Sequence, residues 1–192
     1  MAHSHRLDFT HRENYRDGSV LILFFPFDGG LTLVLTRRTE TVEHHRSQIS
    51  FPGGARENGE LFVETALREA EEEIGIRPET VEVLGEMVPL SIPVSGFVVH
   101  PFVGITPERP EYRIDPVEVA GVIEAPLSHL LDPARRREEE QVFRGQQVLV
   151  PFFDLPDVDR PPLWGATAMM LSALVERLRV VIHSKESVSP SE

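Results

Sequence analysis

The chain has 192 residues, about one domain's length, and is long enough to bury a sizeable core without crosslinks. It contains no cysteine, which excludes disulfides, thiolate metal sites and a thiol nucleophile, and suits a reducing, cytoplasmic setting. Acidic residues outnumber basic ones 31 to 19, for a formal net charge of -12, so a nonspecific grip on a nucleic-acid backbone is disfavoured and an anionic small molecule would need a local basic patch.

The opening "MAHSHRLDFTHREN" has no apolar stretch of the kind a signal peptide carries, and the longest apolar run, "VLILFFPF", falls far short of the ~20 residues that span a bilayer. A soluble protein with no membrane partner is expected. "SVLILFFPF" and "LTLVLT" flank "DGG" at 28–30, the pattern of two strands joined by a tight hairpin. "TRRTETVEHHR", 36–46, then gathers Arg37, Arg38, His44, His45 and Arg46 in a segment that is either an ordinary solvated loop or the required basic patch. The glycines of "FPGG", 51–54, mark a turn or a place where backbone approaches a metal or phosphate closely.

Helical periodicity runs through "GELFVETALREAEEEIG", 59–75, and Gly75 supplies its stop. Residues rich in β-branched and aromatic types follow at 81–87, 97–105, 117–125 and 146–153, with a short helical pattern at 126–132 and a longer one at 165–183. "TPERPEYRIDP", 106–116, and "LPDVDRPPL", 155–163, read as surface loops, since apolar segments continue on both sides. The expectation is one α+β domain over residues 1–183, strands outnumbering helices, with "SKESVSPSE", 184–192, as a disordered tail.

On a helical wheel Val63, Leu67, Ala70 and Ile74 share one stripe, the expected buried face. Glu69, Glu72 and Glu73 fall within an arc of roughly 100°, whereas Glu71 points to solvent. Like charges at these spacings destabilise a helix, and the dipole disfavours anions near its C-terminal end. Either water and salt solvate the carboxylates or a divalent cation holds them, and all-oxygen ligation suits magnesium or manganese rather than zinc. Arg68 can hold a neighbouring carboxylate by a forked hydrogen bond.

Gly54, Glu60, Arg68, Glu69, Ala70, Glu72, Glu73, Gly75 and Ile76 resemble, position for position, the signature box of the Nudix hydrolases. That resemblance implies a Nudix fold, a mixed β-sheet sandwiched between helices, and Mg2+- or Mn2+-dependent hydrolysis of a nucleoside diphosphate linked to another moiety. It implies Glu69, Glu72 and Glu73 as metal ligands, aided by the backbone of Gly53, with Glu69 or a nearby loop carboxylate as general base. Glu60 and Arg68 would brace loop and helix.

Upstream, Leu35, Thr36, Arg38, His45, Gln48, Phe51, Pro52, Gly53 and Gly54 are similar to the stretch that marks the coenzyme A pyrophosphatase branch, although Ser47 stands where that pattern has glycine. "PVSGF", 93–97, "EVAGVIEAPL", 118–127, and "WGATA", 164–168, also look like that branch. The implied reaction splits coenzyme A into 3',5'-ADP and 4'-phosphopantetheine, with Arg38, His45, Gln48, Phe51 and Gly54 at the substrate. No cysteine and no G-x-S-x-G elbow is present, so direct attack by water is the economical mechanism.

Ser47 keeps ADP-ribose or another nucleoside diphosphate derivative open as substrate. A catalytically silent binding module would usually lose box carboxylates, and all are present. Monomer and homodimer are both open. Arg38 and His45 either bind phosphates or tie their loop to the sheet. Glu118 either completes the metal site or is simply exposed. His100 reads as a strand residue, Met169 and Met170 as helix core, and Trp164 as the anchor of the last helix or a ring that stacks on a base.

Overall fold

The computed structural model describes residues 15–39, 48–143, 146–155 and 162–186. Strands β1 (Arg16–Phe27) and β2 (Gly30–Arg38) form the expected hairpin. Asp28 and Gly29 turn the chain with φ of 49° and 74°, the positive pair that a two-residue hairpin matching the strands' twist requires. The apolar run of β1 is continuous because both its faces are covered: Leu21, Leu23 and Phe25 point to one side, Ile22 and Phe24 to the other.

Around this hairpin lie β3 (Ile49–Ser50), β4 (Gly53–Ala55), β5 (Glu82–Glu86), β6 (Leu90–Ile92), β7 (Phe97–Ile105) and β8 (Val119–Pro126). The central order is β3-β2-β1-β7-β5, with β4 on β1, β6 on β7 and β8 on β2. β1 and β7 run parallel, from Arg16↔Phe97 to Phe24↔Ile105, while the other pairings are antiparallel, so the sheet is mixed.

Helix α1 (Phe62–Ile74) packs Ala66, Ala70 and Ile74 on Leu21, Leu23, Phe25 and Val34. On the opposite face α3 (Gly165–Glu186) packs Leu171, Leu174 and Val175 on Ile22, Phe24, Leu33 and Leu35. Each fully buried side chain of this size contributes roughly 1.5–3 kcal/mol. The short α2 (Leu127–Leu131) joins the α3 side, and β9 (Arg136–Phe143) and β10 (Gln146–Phe153) form a separate hairpin. The expected sheet between helices is present. No helix among the described residues is long and apolar enough to cross a membrane.

Several expectations need correction. β3, β4 and β6 are too short to show a period, and β9, "RREEEQVF", is too charged to read as a strand. The buried face of α1 is turned from the expected stripe: Thr65, Ala66, Ala70, Glu73 and Ile74 are buried, whereas Val63 and Leu67 sit half-buried at its margin. Met170 joins the core as expected but Met169 is 41% exposed. Trp164 is 40% exposed, and the anchor before α3 is its fully buried neighbour Leu163, bridged to Phe153. α3 continues through Glu186, into the segment expected as a tail; residues 187–192 lie outside those described.

Candidate active site

The site grows from the two ends of α1. At the start, Glu64 reaches back to the Leu61 N–H at 2.8 Å, satisfying a donor that the helix leaves free. At the finish Gly75 takes φ 76° and donates to the Glu71 carbonyl at 2.8 Å, while Ile76 N–H reaches Ala70 at 3.2 Å. The loop before β8 caps what remains: Arg113 N–H donates to the Ile74 carbonyl at 2.8 Å and Asp115 N–H to the Glu73 carbonyl at 2.9 Å. A Cβ on Gly75 would stand 2.7 Å from that of Arg113, so only glycine lets loop and helix close. Thr39 N–H then holds the Glu118 carbonyl at 3.0 Å, which fixes Glu118 beside the end of β2.

Arg68 is the hub of the helix's polar flank. Its Nε donates to Glu60 at 2.7 Å, and its Nη1 lies 2.9 Å from both Glu69 and Glu72. Nη2 reaches the Ala55 carbonyl at 3.2 Å, tying the glycine turn to the helix. Glu60 also accepts from the Glu57 N–H at 3.0 Å and the Thr65 hydroxyl at 2.8 Å. The Arg68 hydrogen bond, ahead of these two, lowers the Glu60 carboxyl to about 2. Arg68 thus links Glu60, the Ala55 carbonyl and the helix carboxylates.

Glu73 is 3% exposed, not on an open helix face as its wheel position suggested. Burial pushes its carboxyl up to about 7, against the pull of Arg38, 3.7 Å away, and of the Gly53 N–H, 3.3 Å away; Glu69 and Glu118 push in the same direction as burial. Glu69, also largely covered, is raised first by burial and lowered in part by Arg68. Arg38 lies 3.8 Å from Glu118 as well, bridging the half-exposed loop carboxylate to the buried helix one.

The glycine pair is sterically required. A methyl group on Gly54 would collide with the Glu69 carboxylate, and one on Gly53, where φ is 156°, with the backbone of Ser19 and Val20. Absence of a side chain thus lets the turn lie directly against the carboxylates.

The fold brings Glu69, Glu73, Glu118, Arg38, Gly53 and Gly54 together, with Glu72 on the 60%-exposed rim, attached through Arg68. Glu71 is exposed and makes no part of the cluster. Gln48 sits beside the site, its carbonyl accepting the Arg38 N–H at 3.0 Å. Phe51, expected at the substrate, is instead 1% exposed in the core on the α3 side, because an aromatic ring there gains more from burial than a solvent-facing turn offers. His45 and Ser47 lie outside the described residues. His100 is a strand residue, stacked on Phe62 at 3.6 Å and bonded to Glu86 at 2.7 Å.

Thr65, Thr39 and the 113–118 loop were not anticipated as contributors. Thr65 lies across the helical wheel from the apolar stripe, so the pattern does not mark it; the loop acts through backbone groups, which no residue type announces. Among the described residues no three side chains form a ready-made metal cage, since Arg68 stands between Glu69 and Glu72 and Arg38 between Glu73 and Glu118. The donor set nevertheless fits a hard divalent cation: it is all oxygen, crowded, and carries buried carboxylates whose charge is under-compensated.

Comparison with known proteins agrees with this picture. The NUDIX domain family matches residues 15–146. A Photorhabdus laumondii protein named as an uncharacterized Nudix hydrolase, NudL, is 37% identical over 150 residues, 78% of either chain. Nudix hydrolase 22, chloroplastic, of Arabidopsis thaliana is 38% identical over 161 residues, 81% of this chain and 53% of that one, so the chain spans about half the length of this plant relative. The crystal structure of RenU, a Nudix hydrolase from M. smegmatis, shares the fold with a TM-score of 0.57 at 18% identity, covering 92% of this chain and 89% of that chain.

Proposed function

This chain belongs to the Nudix hydrolase family, and from that premise we propose that it hydrolyses the diphosphate of coenzyme A or its acyl derivatives, using Mg2+ or Mn2+, to give 3',5'-ADP and 4'-phosphopantetheine. The observation that carries the hydrolytic part is the buried Glu69–Glu73 pair pressed against the Gly53–Gly54 turn, with Glu118 and Arg38 beside it.

Glu69, Glu72, Glu73 and the backbone of Gly53 would hold the divalent ion, which when bound lends positive charge to the diphosphate oxygens and activates the attacking water. The chain's own groups do the rest. Arg68 and Glu60 fix the helix flank so that Glu69 and Glu72 keep their positions. Arg38, a quarter exposed at the rim, presents a guanidinium to the substrate's phosphates, helped by His45 and Gln48. The water's proton passes to Glu69, whose carboxyl burial raises above its ordinary value, or to Glu118 on the loop.

Coenzyme A is favoured by the residues of 35–54 that match the branch pattern. Ser47 favours the second reading, a hydrolase of ADP-ribose or a similar diphosphate. Chromatography of magnesium reactions with coenzyme A, ADP-ribose, NADH and diadenosine polyphosphates separates them. Release of 3',5'-ADP from coenzyme A is expected. Intact coenzyme A alongside consumed ADP-ribose would remove the substrate assignment and leave the hydrolase, whereas no turnover of any diphosphate would leave a binding module.

A further inference from the structure

The β9–β10 hairpin stands apart from the main sheet, and the distal half of one face is exposed, with Val142 at 73% and Leu149 at 62%, while Val148 and Val150 on the other face are half-buried. A lone two-stranded ribbon is marginal in water, and each of its edges is a template for another strand.

The two edges differ. Phe153 exchanges both backbone hydrogen bonds with Leu163 on the side of β10 away from β9. By the alternation of an antiparallel ladder, Pro151 and Leu149 also direct their backbone groups that way. Pro151 has no N–H to offer, so this edge is interrupted. The register, with Phe153 opposite Arg136 and Pro151 opposite Glu138, makes Glu138, Glu140 and Val142 the outward residues of β9. Arg136 adds an outward carbonyl, its N–H being bonded to Pro133. Among the described residues no backbone partner covers this edge.

The edge is complementary to itself. Placed antiparallel to its own copy about a two-fold axis at Glu138, residues 136–140 set Arg136 against Glu140 and Arg137 against Glu139, on opposite faces of the ribbon. The backbone agrees: Glu138 exchanges N–H and carbonyl with the copy's Glu138, and the Glu140 N–H meets the Arg136 carbonyl. The like-charged Glu138 pair is flanked by Arg136, which already holds Glu138 at 2.7 Å within one chain. Centring the pairing on Arg137 opposes that residue to itself, and centring it on Glu139 sets Arg137 against Gln141 and Arg136 against Val142. We propose that two copies of this chain pair β9 to β9 in the Glu138-centred register, joining their hairpins into one continuous intermolecular sheet.

The cysteine-free sequence permits a direct test. Opposed residues of a hydrogen-bonded antiparallel pair lie about 5.5 Å apart at Cα, within reach of a disulfide. Glu138→Cys should therefore crosslink to itself on mild oxidation, whereas Val142→Cys, beyond the paired stretch, should not. Light scattering of the wild type should give about twice 21.7 kDa. Glu140→Pro removes an N–H that the β9–β10 ladder does not use, and should weaken the dimer about tenfold or more with the circular dichroism unchanged. Arg137→Glu and Glu139→Arg should each dissociate it, and an equimolar mixture of the two should reassociate, because mixing restores opposite charges across the axis. A monomer at every concentration, or a dimer indifferent to Glu140→Pro and to the charge variants, would overturn the proposal.

Discussion

Gly54 and Glu73 show how single positions set this site. At Gly54 the space a methyl would need is filled by the Glu69 carboxylate, so Gly54→Ala must displace either the turn or the acid. Such overpacking costs about 1–3 kcal/mol, which a domain of this size can tolerate, but the displaced carboxylate should lower kcat by tenfold or more. Thermal melts beside steady-state rates check this; an active Gly54→Ala variant would mean that the turn does not set the position of Glu69. Glu73 is a buried acid with its carboxyl raised to about 7, so the folded chain prefers it protonated. Its stabilising effect is complete below about 4.5 and is lost as pH rises through about 7, leaving a buried charge at pH 8. Glu73→Gln keeps an acceptor for the Gly53 N–H and removes that charge. In chelator at pH 8 it should be more stable than wild type by about 1–3 kcal/mol, with a smaller difference at pH 5, while turnover falls by orders of magnitude. Glu71→Gln, on the exposed side, should change neither. A lower melt for chelated Glu73→Gln at pH 8 would contradict the buried-charge account.

At the scale of elements, α1 is held by ion pairs as well as by its apolar contacts. Glu60, with its carboxyl lowered to about 2, lends stability that is fully present above about 4.5 and disappears as pH falls towards 2. Glu60→Gln should therefore flatten the acid limb of the stability curve between those values, and urea titrations at a series of pH values would show an unchanged limb if the brace carries no load. The helix is also where the reach of the sequence is clearest. The wheel separates Glu71 from Glu69, Glu72 and Glu73 because periodicity is a backbone property. It misplaces the buried face because it scores residues by polarity, and Glu73 goes inward only because Gly53, from a turn twenty positions earlier, and Arg38, from β2, meet it there. The hairpin of β1 and β2, β7 and the three helices are legible from local pattern. β3, β4 and β6 exist only as ladder partners, β9 hides behind its charges, and the loop that caps α1 works through N–H groups common to every residue. Phe51 is the reverse case: its place in the motif is readable, but its burial against the α3 side depends on contacts from distant elements.

For the whole molecule, an acidic protein of net charge -12 that acts on an anionic substrate must collect its cations at one place. On the proposed reading Arg38, at the end of β2, marks that place, and in sequence His44, His45, Arg46 and Ser47 follow before Gln48, whose carbonyl accepts the Arg38 N–H. The substrate question therefore narrows to this segment, and within it to Ser47, the position where the coenzyme A pattern has glycine. Glycine can serve there in two ways, by giving room to a phosphate or by adopting torsions that serine resists. If room is what matters, Ser47→Gly should raise kcat/KM on coenzyme A several-fold and leave ADP-ribose nearly unchanged, since only the larger, more highly phosphorylated substrate presses on the position. If torsion matters, the loop as a whole changes shape, Arg38 loses its register with Gln48, and both substrates respond. Rates of the wild type and of Ser47→Gly on the two substrates, with magnesium held constant, separate these cases. A Ser47→Gly variant with no gain on coenzyme A would sever the link between this residue and substrate choice, while the hydrolytic role proposed for the carboxylates of α1 would stand.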